Sequence, residues 1–337
     1  VPDPAATAPI PLALVGCGTI AASYLQALAH VPTLHFVAAI DPLDAARQAV
    51  ATQHRVPAFA TVEALSRAGP AVGAALVLVP PDRHESVTTE LLAAGVHVLC
   101  EKPLAPTVAA AQRLLAAARS ADRQLMLGSK FRYAADVRAA RDLLQRDAIG
   151  EVLRFEIVFC SRVDMTRRWN GESARAGGGV LMDNGGHAVD LARCLLGPLT
   201  SVQATFAPRV QPLDVEDTVH LQMRTQRGAL GTCDLSWSLQ LPTTNFLSLH
   251  GRRGTIEIGW RQSRWRCNGA DWQVLGGGFD KVAAFAAQLT DFATSCARAA
   301  APQITPADAL AAVVAVDTAY RSAAEQRWLD VPSISLP

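Results

Sequence analysis

The stretch Val15-Gly16-Cys17-Gly18-Thr19-Ile20-Ala21 decides how the chain is read, because it follows a short apolar run (12–15) and opens a helical pattern through Ala21, Leu25 and Leu28. A first glycine at a strand exit permits a tight turn. A second lets the backbone approach a ligand closely, and a small residue three positions later lets helix and strand pack. Gly16, Gly18 and Ala21 meet these demands in order. Free N–H groups at the helix start, at Cys17, Thr19 and Ile20, would then face an anion such as a pyrophosphate. Turns of this composition also occur with no ligand, so the flanking sequence has to decide.

Working outward, a second apolar run (34–40) ends at Asp41, 23 residues beyond Gly18. A carboxylate there accepts hydrogen bonds from ribose hydroxyls and repels a 2′-phosphate, so the expected cofactor is NAD, with NADP possible. Further runs at 74–79, 96–100 and 125–127 alternate with amphipathic helices. That alternation predicts an α/β domain with a doubly wound parallel sheet over residues 1–130, with 1–11 as a loose leader. Beyond 130 the rhythm changes. A helix through Val137 and Leu144 precedes a strand at 152–159, a polar loop at 164–179 and a helix at 180–196, stopped by Gly197-Pro198. Six strand candidates follow, at 201–206, 218–224, 229–236, 246–250, 255–259 and 264–267, and then helices at 280–297 and 306–325. Residues 131–337 therefore read as an α+β substrate domain on an open, largely antiparallel mixed sheet.

The formal charge of +1 leaves no field to draw in a phosphate backbone, which argues against nucleic acid. Seven scattered cysteines show neither a disulfide framework nor paired zinc spacing, and the expected compartment is the cytoplasm. No stretch is long and apolar enough to span a membrane, so no membrane partner is expected.

Two further segments carry chemistry. Glu101-Lys102-Pro103 follows the fourth predicted strand at the sheet edge where open α/β folds hold ligands, and Pro103 biases Lys102 toward extended backbone. An ammonium there could polarise a substrate hydroxyl, although a lysine in such a loop is commonly just solvated. The segment Gly177 through Asp190 sets Asp183, His187 and Asp190 at spacings of four and three, on one face of a helix. His187 could exchange a proton with an alcohol. Asp183 could orient it or bind a second hydroxyl, and Asp190 could cap or support from behind. The same spacing suits a core histidine satisfied by a carboxylate. A shared metal has no H-E-x-x-H or cysteine partner to support it, and none is expected.

These residues resemble the glucose-fructose oxidoreductase, inositol dehydrogenase and rhizopine-catabolism (Gfo/Idh/MocA) family. The likeness rests on the glycine turn, Pro80 with His84, Glu101-Lys102-Pro103, and a G-G-G-x-x-x-D-x-G-x-H-x-x-D pattern over 177–190. It implies a Rossmann domain, a bound nicotinamide, and a sugar, sugar derivative or cyclitol as substrate. It also implies a homodimer or homotetramer through the C-terminal sheet. By the resemblance Lys102, Asp183 and His187 are catalytic, and Pro80, His84 and Glu101 edge the cofactor. Arg168 and Trp169 fall where substrate-loop residues occur, and Lys130 and Arg132 are further substrate contacts in a segment that departs from the usual Arg-Phe ending. The same resemblance allows a redox-neutral, cofactor-recycling enzyme or a catalytically silent nucleotide-binding regulator.

Overall fold

The computed structural model describes residues 8–298 and 300–334. The first unit alternates β1 (Ile10–Val15), α1 (Thr19–Leu28), β2 (Leu34–Ile40), α2 (Asp44–His54), β3 (Ala58–Phe59), α3 (Val62–Ala68), β4 (Ala74–Val77), α4 (His84–Ala93), β5 (His97–Glu101), α5 (Val108–Ser120) and β6 (Leu125–Gly128). All strand pairs are parallel and lie in the order β3-β2-β1-β4-β5-β6. The order reverses between β1 and β4, and in such sheets the ligand crevice opens at that point, off the carboxyl ends of the strands. β1 begins at Ile10, inside the segment expected to be a loose leader, because Ile10 and Pro11 pair with Leu34 and His35. Positions 1–7 of that leader lie outside the described residues. The two-residue β3 and the short α3 carry too little periodicity to stand out in the sequence.

The second unit runs α6 (Ala135–Gln145), β7 (Val152–Cys160), α7 (Ser173–Ala176), a π-helical turn (Leu181–Gly185), α8 (Gly186–Leu196), β8 (Leu199–Phe206), β9 (Thr218–Thr225), β10 (Leu230–Ser236), β11 (Asn245–Gly251), β12 (Gly254–Gly259), β13 (Ser263–Cys267), β14 (Gln273–Gly276), α9 (Lys281–Cys296), α10 (Pro306–Glu325) and β15 (Leu329–Asp330). Its nine strands form one mixed sheet in which only β7 and β10 pair in parallel. The strands alternate: Phe155, Ile157, Leu221, Cys233 and Leu235 are fully buried, while Glu156, His220 and Asp234 lie on the opposite face. One expectation needs correction here. The helix at 180–196 is interrupted by the π turn, so Asp183, His187 and Asp190 do not share one regular α-helical face.

The two closing helices return to the first unit. Phe285 on α9 packs its ring 4.1 Å from that of Tyr24 on α1. Helix α10 starts at a capping box made by Thr305 and Asp308 with Pro306 in its first turn. It buries Leu310, Val313 and Val314 in the first core and Ala312, Ala315, Val316 and Ala319 in the second.

A buried ion pair ties the end of the first sheet to the second unit. Arg132 meets the Asp190 carboxylate through Nε at 2.8 and 2.9 Å and through Nη2 at 2.6 Å, and Ser129 donates to Asp190 at 2.6 Å. Asp308 at the start of α10 is 3.3 Å from Arg132 Nη1. Arg132 is thus enclosed by protein carboxylates and only 6% exposed, which corrects its expected role as a substrate contact. Removing one partner would leave a buried charge poorly compensated. Asp190→Ala should therefore lower the unfolding free energy by about 3 kcal/mol, read from urea denaturation. Combining Arg132→Met with Asp190→Leu should cost less.

Candidate active site

The glycine turn is built by exclusion on one side and openness on the other. Gly16 has φ +100°, and a Cβ there would lie 2.7 Å from the backbone carbon of Leu78, so the turn presses on the exit of β4. At Gly18 a Cβ would meet nothing within 4 Å. Gly18 caps α1 with no side-chain hydrogen bond, and the helix has no acid in its first turn, which leaves its positive end open. Asp41 closes the turn from β2: Oδ2 accepts from Cys17 N and Oδ1 from Leu43 N, each at 2.8 Å. Each carboxylate oxygen can accept a second hydrogen bond, so a ribose hydroxyl can still be bound. Burial, and then Asp41, push the Cys17 thiol up to about 11, so Cys17 contributes backbone, not a thiolate. The turn therefore leaves room and free donors for an anionic ligand at residues 16–20, and an acceptor for a hydroxyl at Asp41.

Beyond β4, Pro80 caps a short 3₁₀ turn, Pro81–Arg83, that leads into α4. His84 is 1% exposed, with Nδ1 2.7 Å from Pro103 O and Nε2 2.9 Å from Val79 O. Burial lowers its pKa, while the carbonyl contacts at both nitrogens work in the opposite direction. With both nitrogens taken by carbonyl contacts, His84 staples the 101–103 loop to the β4 exit and has none left for a ligand. Glu101 accepts from Tyr24 Oη at 2.6 Å and from the Lys102 amide at 3.0 Å, and Gln288 Nε2 donates to Tyr24 at 3.0 Å. Helices α1 and α9 thereby fix the base of the Lys102 loop.

Lys102 projects from this loop to Asp183, pairing with its carboxylate and donating to its carbonyl at 3.2 Å. Asp183 sits in the π turn. That turn is fixed by Glu216, whose carboxylate accepts from Gly179 N at 3.1 Å, Leu181 N at 3.0 Å and Tyr320 Oη at 2.7 Å. Gly178 faces the Tyr320 hydroxyl and Gly179 the Glu216 backbone, with no room for a Cβ at either. One turn on, His187 is 5% exposed, with the Phe131 ring edge-on at 5.0 Å. Its Nε2 lies 3.1 Å from Lys130 Nζ, and its Nδ1 has no partner among the described residues. Burial, then Lys130, then Lys102 hold the imidazole well below the usual histidine pKa. Burial likewise brings Lys130 down to about 8.

Lys102, Asp183, His187 and Lys130 thus form one cluster at the carboxyl edge of the first sheet, while Asp190 and Arg132 form a separate buried pair behind it. Trp169 opens a 3₁₀ turn, Trp169–Gly171, and is half-buried; Arg168 before it is exposed. Neither side chain bonds to the cluster among the described residues. Their loop is pinned by Asp214 accepting from Ser173 N at 3.0 Å and by Gln211 accepting from Met165 N at 2.9 Å. Sequence reading missed Glu216, Tyr320, Tyr24 and Gln288. Each acts across at least 35 positions of chain, and no local pattern marks it. The described residues include no group of three or more His, Cys, Asp or Glu suited to a metal, and no helix long and apolar enough to cross a membrane.

Two family models match the chain. Residues 10–129 match an oxidoreductase family with an NAD-binding Rossmann fold, and residues 137–257 match the GFO/IDH/MocA C-terminal domain. The trans-1,2-dihydrobenzene-1,2-diol dehydrogenase of Mus musculus is 30% identical over 251 residues, 73% of each chain. The D-apiose dehydrogenase of Rhizobium rhizogenes is 28% identical over 269 residues, 74% of this chain and 76% of its own. The crystal structure of an aldose-aldose oxidoreductase from Caulobacter crescentus, complexed with glycerol, superposes with a TM-score of 0.87 at 25% identity, covering 96% of this chain and 99% of that one. With a glycine turn at the exit of β1 and the Lys102 cluster following β5, the chain belongs to the GFO/IDH/MocA family of NAD(P)-dependent oxidoreductases.

Proposed function

We propose that the chain moves hydride between a nicotinamide and a secondary alcohol or ketone carbon of a sugar, sugar derivative or cyclitol, with Lys102, Asp183 and His187 as catalytic residues. The observation that carries this reading is the meeting of an ammonium, a carboxylate and a neutral imidazole at the carboxyl edge of the parallel sheet. The relatives are named for substrates that bear hydroxyls, a pentose, aldoses and a vicinal diol, and this favours a polyhydroxylated substrate here.

The bound nicotinamide would accept or supply the hydride. Residues 16–20 and Asp41 would hold its dinucleotide portion, with Pro80 and Glu101 along the crevice edge. Lys102 would donate a hydrogen bond to the reacting oxygen and stabilise the negative charge that grows there in the transition state. Asp183 holds that ammonium in place and can accept from a neighbouring hydroxyl. His187, kept neutral by burial, would take the alcohol proton during oxidation and return it during reduction. Trp169 and Arg168 would wall the substrate side. The outer face of the nine-stranded sheet, with Leu230 51% exposed, would pair subunits into a homodimer or homotetramer.

Screening polyols and aldoses by the absorbance of reduced cofactor tests the substrate class; turnover of none of them would overturn it. On a substrate so found, His187→Ala and Lys102→Ala should each lower kcat by about 100-fold or more with NADH affinity nearly unchanged. Wild-type turnover in both would sink the assignment. Titration should show NADH bound more tightly than NADPH, and Asp41→Ser should narrow that gap.

A further inference from the structure

Lys130 opens the 3₁₀ turn Lys130–Tyr133 directly after β6, and that turn is held rigidly on two sides. Arg132 binds Asp190 on α8, and Tyr133 donates to Asp291 on α9 at 2.7 Å. The Lys130 ammonium lies 5.0 Å from the Phe131 centroid and 5.9 Å from that of Phe285. Its polar partner is His187 Nε2, 3.1 Å away. The charged groups around it are Glu101 from β5, Lys102 from the loop that follows, Asp183 from the π turn and Lys281 from α9, two of each sign, so burial decides the balance against the ammonium.

We propose that Lys130 is a positioning residue for His187, fixing which ring nitrogen carries the proton and setting the pH above which the imidazole can take up another. The inference rests on the acid–base role given to His187 above. A charged ammonium can only donate, so it makes Nε2 the acceptor and places the imidazole proton on Nδ1. A second proton arriving on His187 would then put two cations 3.1 Å apart in a buried site, which is strongly unfavourable. Once Lys130 is neutral, its lone pair can accept from Nε2–H instead. In oxidation the alcohol proton passes to the imidazole as hydride leaves the same carbon, and the neutral amine shares that proton. The pair therefore gains one proton per turnover and later releases it to water. With the lysine brought down to about 8, oxidation should gain rate as pH rises through that value, and carbonyl reduction should lose it.

The test uses the full chain with cofactor and a substrate from the screen above. Wild type should show an alkaline-rising limb near pH 8 for oxidation, while NMR of ring-labelled histidine shows His187 neutral through the neutral range. In Lys130→Met that limb should disappear, and the His187 pKa should rise by about one unit or more toward the free histidine value. Lys130→Arg, which retains the charge at every accessible pH, should oxidise about tenfold or more slowly than wild type at alkaline pH while keeping its circular dichroism and NADH binding. An unchanged limb and an unchanged His187 pKa in Lys130→Met would overturn the inference. If His187→Ala is inactive but Lys130→Met behaves as wild type, only the role of Lys130 falls. If His187→Ala turns over normally, the catalytic reading falls with it.

Discussion

The carboxylate of Glu216 is the constraint on which the crevice depends. It is buried, which raises its pKa, and that cost is tolerated because three donors converge on it: two backbone amides from 179 and 181 and the Tyr320 hydroxyl. The amides belong to the chain just entering the π turn, so this carboxylate fixes where the turn begins. Asp183 and His187 take their places from that start. The glycines at 178 and 179 follow from the same contact, since a side chain at either would occupy the space of Tyr320 or Glu216 itself.

Two pairs of opposite charges lie in very different surroundings. Arg132 and Asp190 pair almost wholly out of reach of solvent, with 6% and 2% of their side chains exposed. Lys102 and Asp183 also pair, but each side chain retains about a fifth of its surface exposed, and the neighbouring His187 keeps one nitrogen without a partner. Partial exposure at the edge of a parallel sheet distinguishes the Lys102 cluster from the enclosed pair behind it.

Much of this was legible in the sequence, and the reason differs by element. The parallel strands read clearly because strands buried on both faces are continuous apolar runs, and 34–40 matches β2 at both ends. Lys102, Asp183 and His187 were visible because their motifs are local. Arg132 misled because nothing in a short basic segment reveals a carboxylate 58 residues further on. The π turn escaped because periodicity counts 3.6 residues per turn and cannot register one wider turn. His84 illustrates a different limit: its place after β4 was readable, but not that both of its nitrogens would be occupied by backbone carbonyls.

Helix α10 is set with one flank in each hydrophobic core, and it acts as a rivet through two plates. A hinge that swung the sheets apart would have to pull Val313 or Val316 into water, at roughly 1.5–3 kcal/mol for each side chain exposed. The width of the cleft between the plates should then be held nearly constant whether or not a ligand fills it.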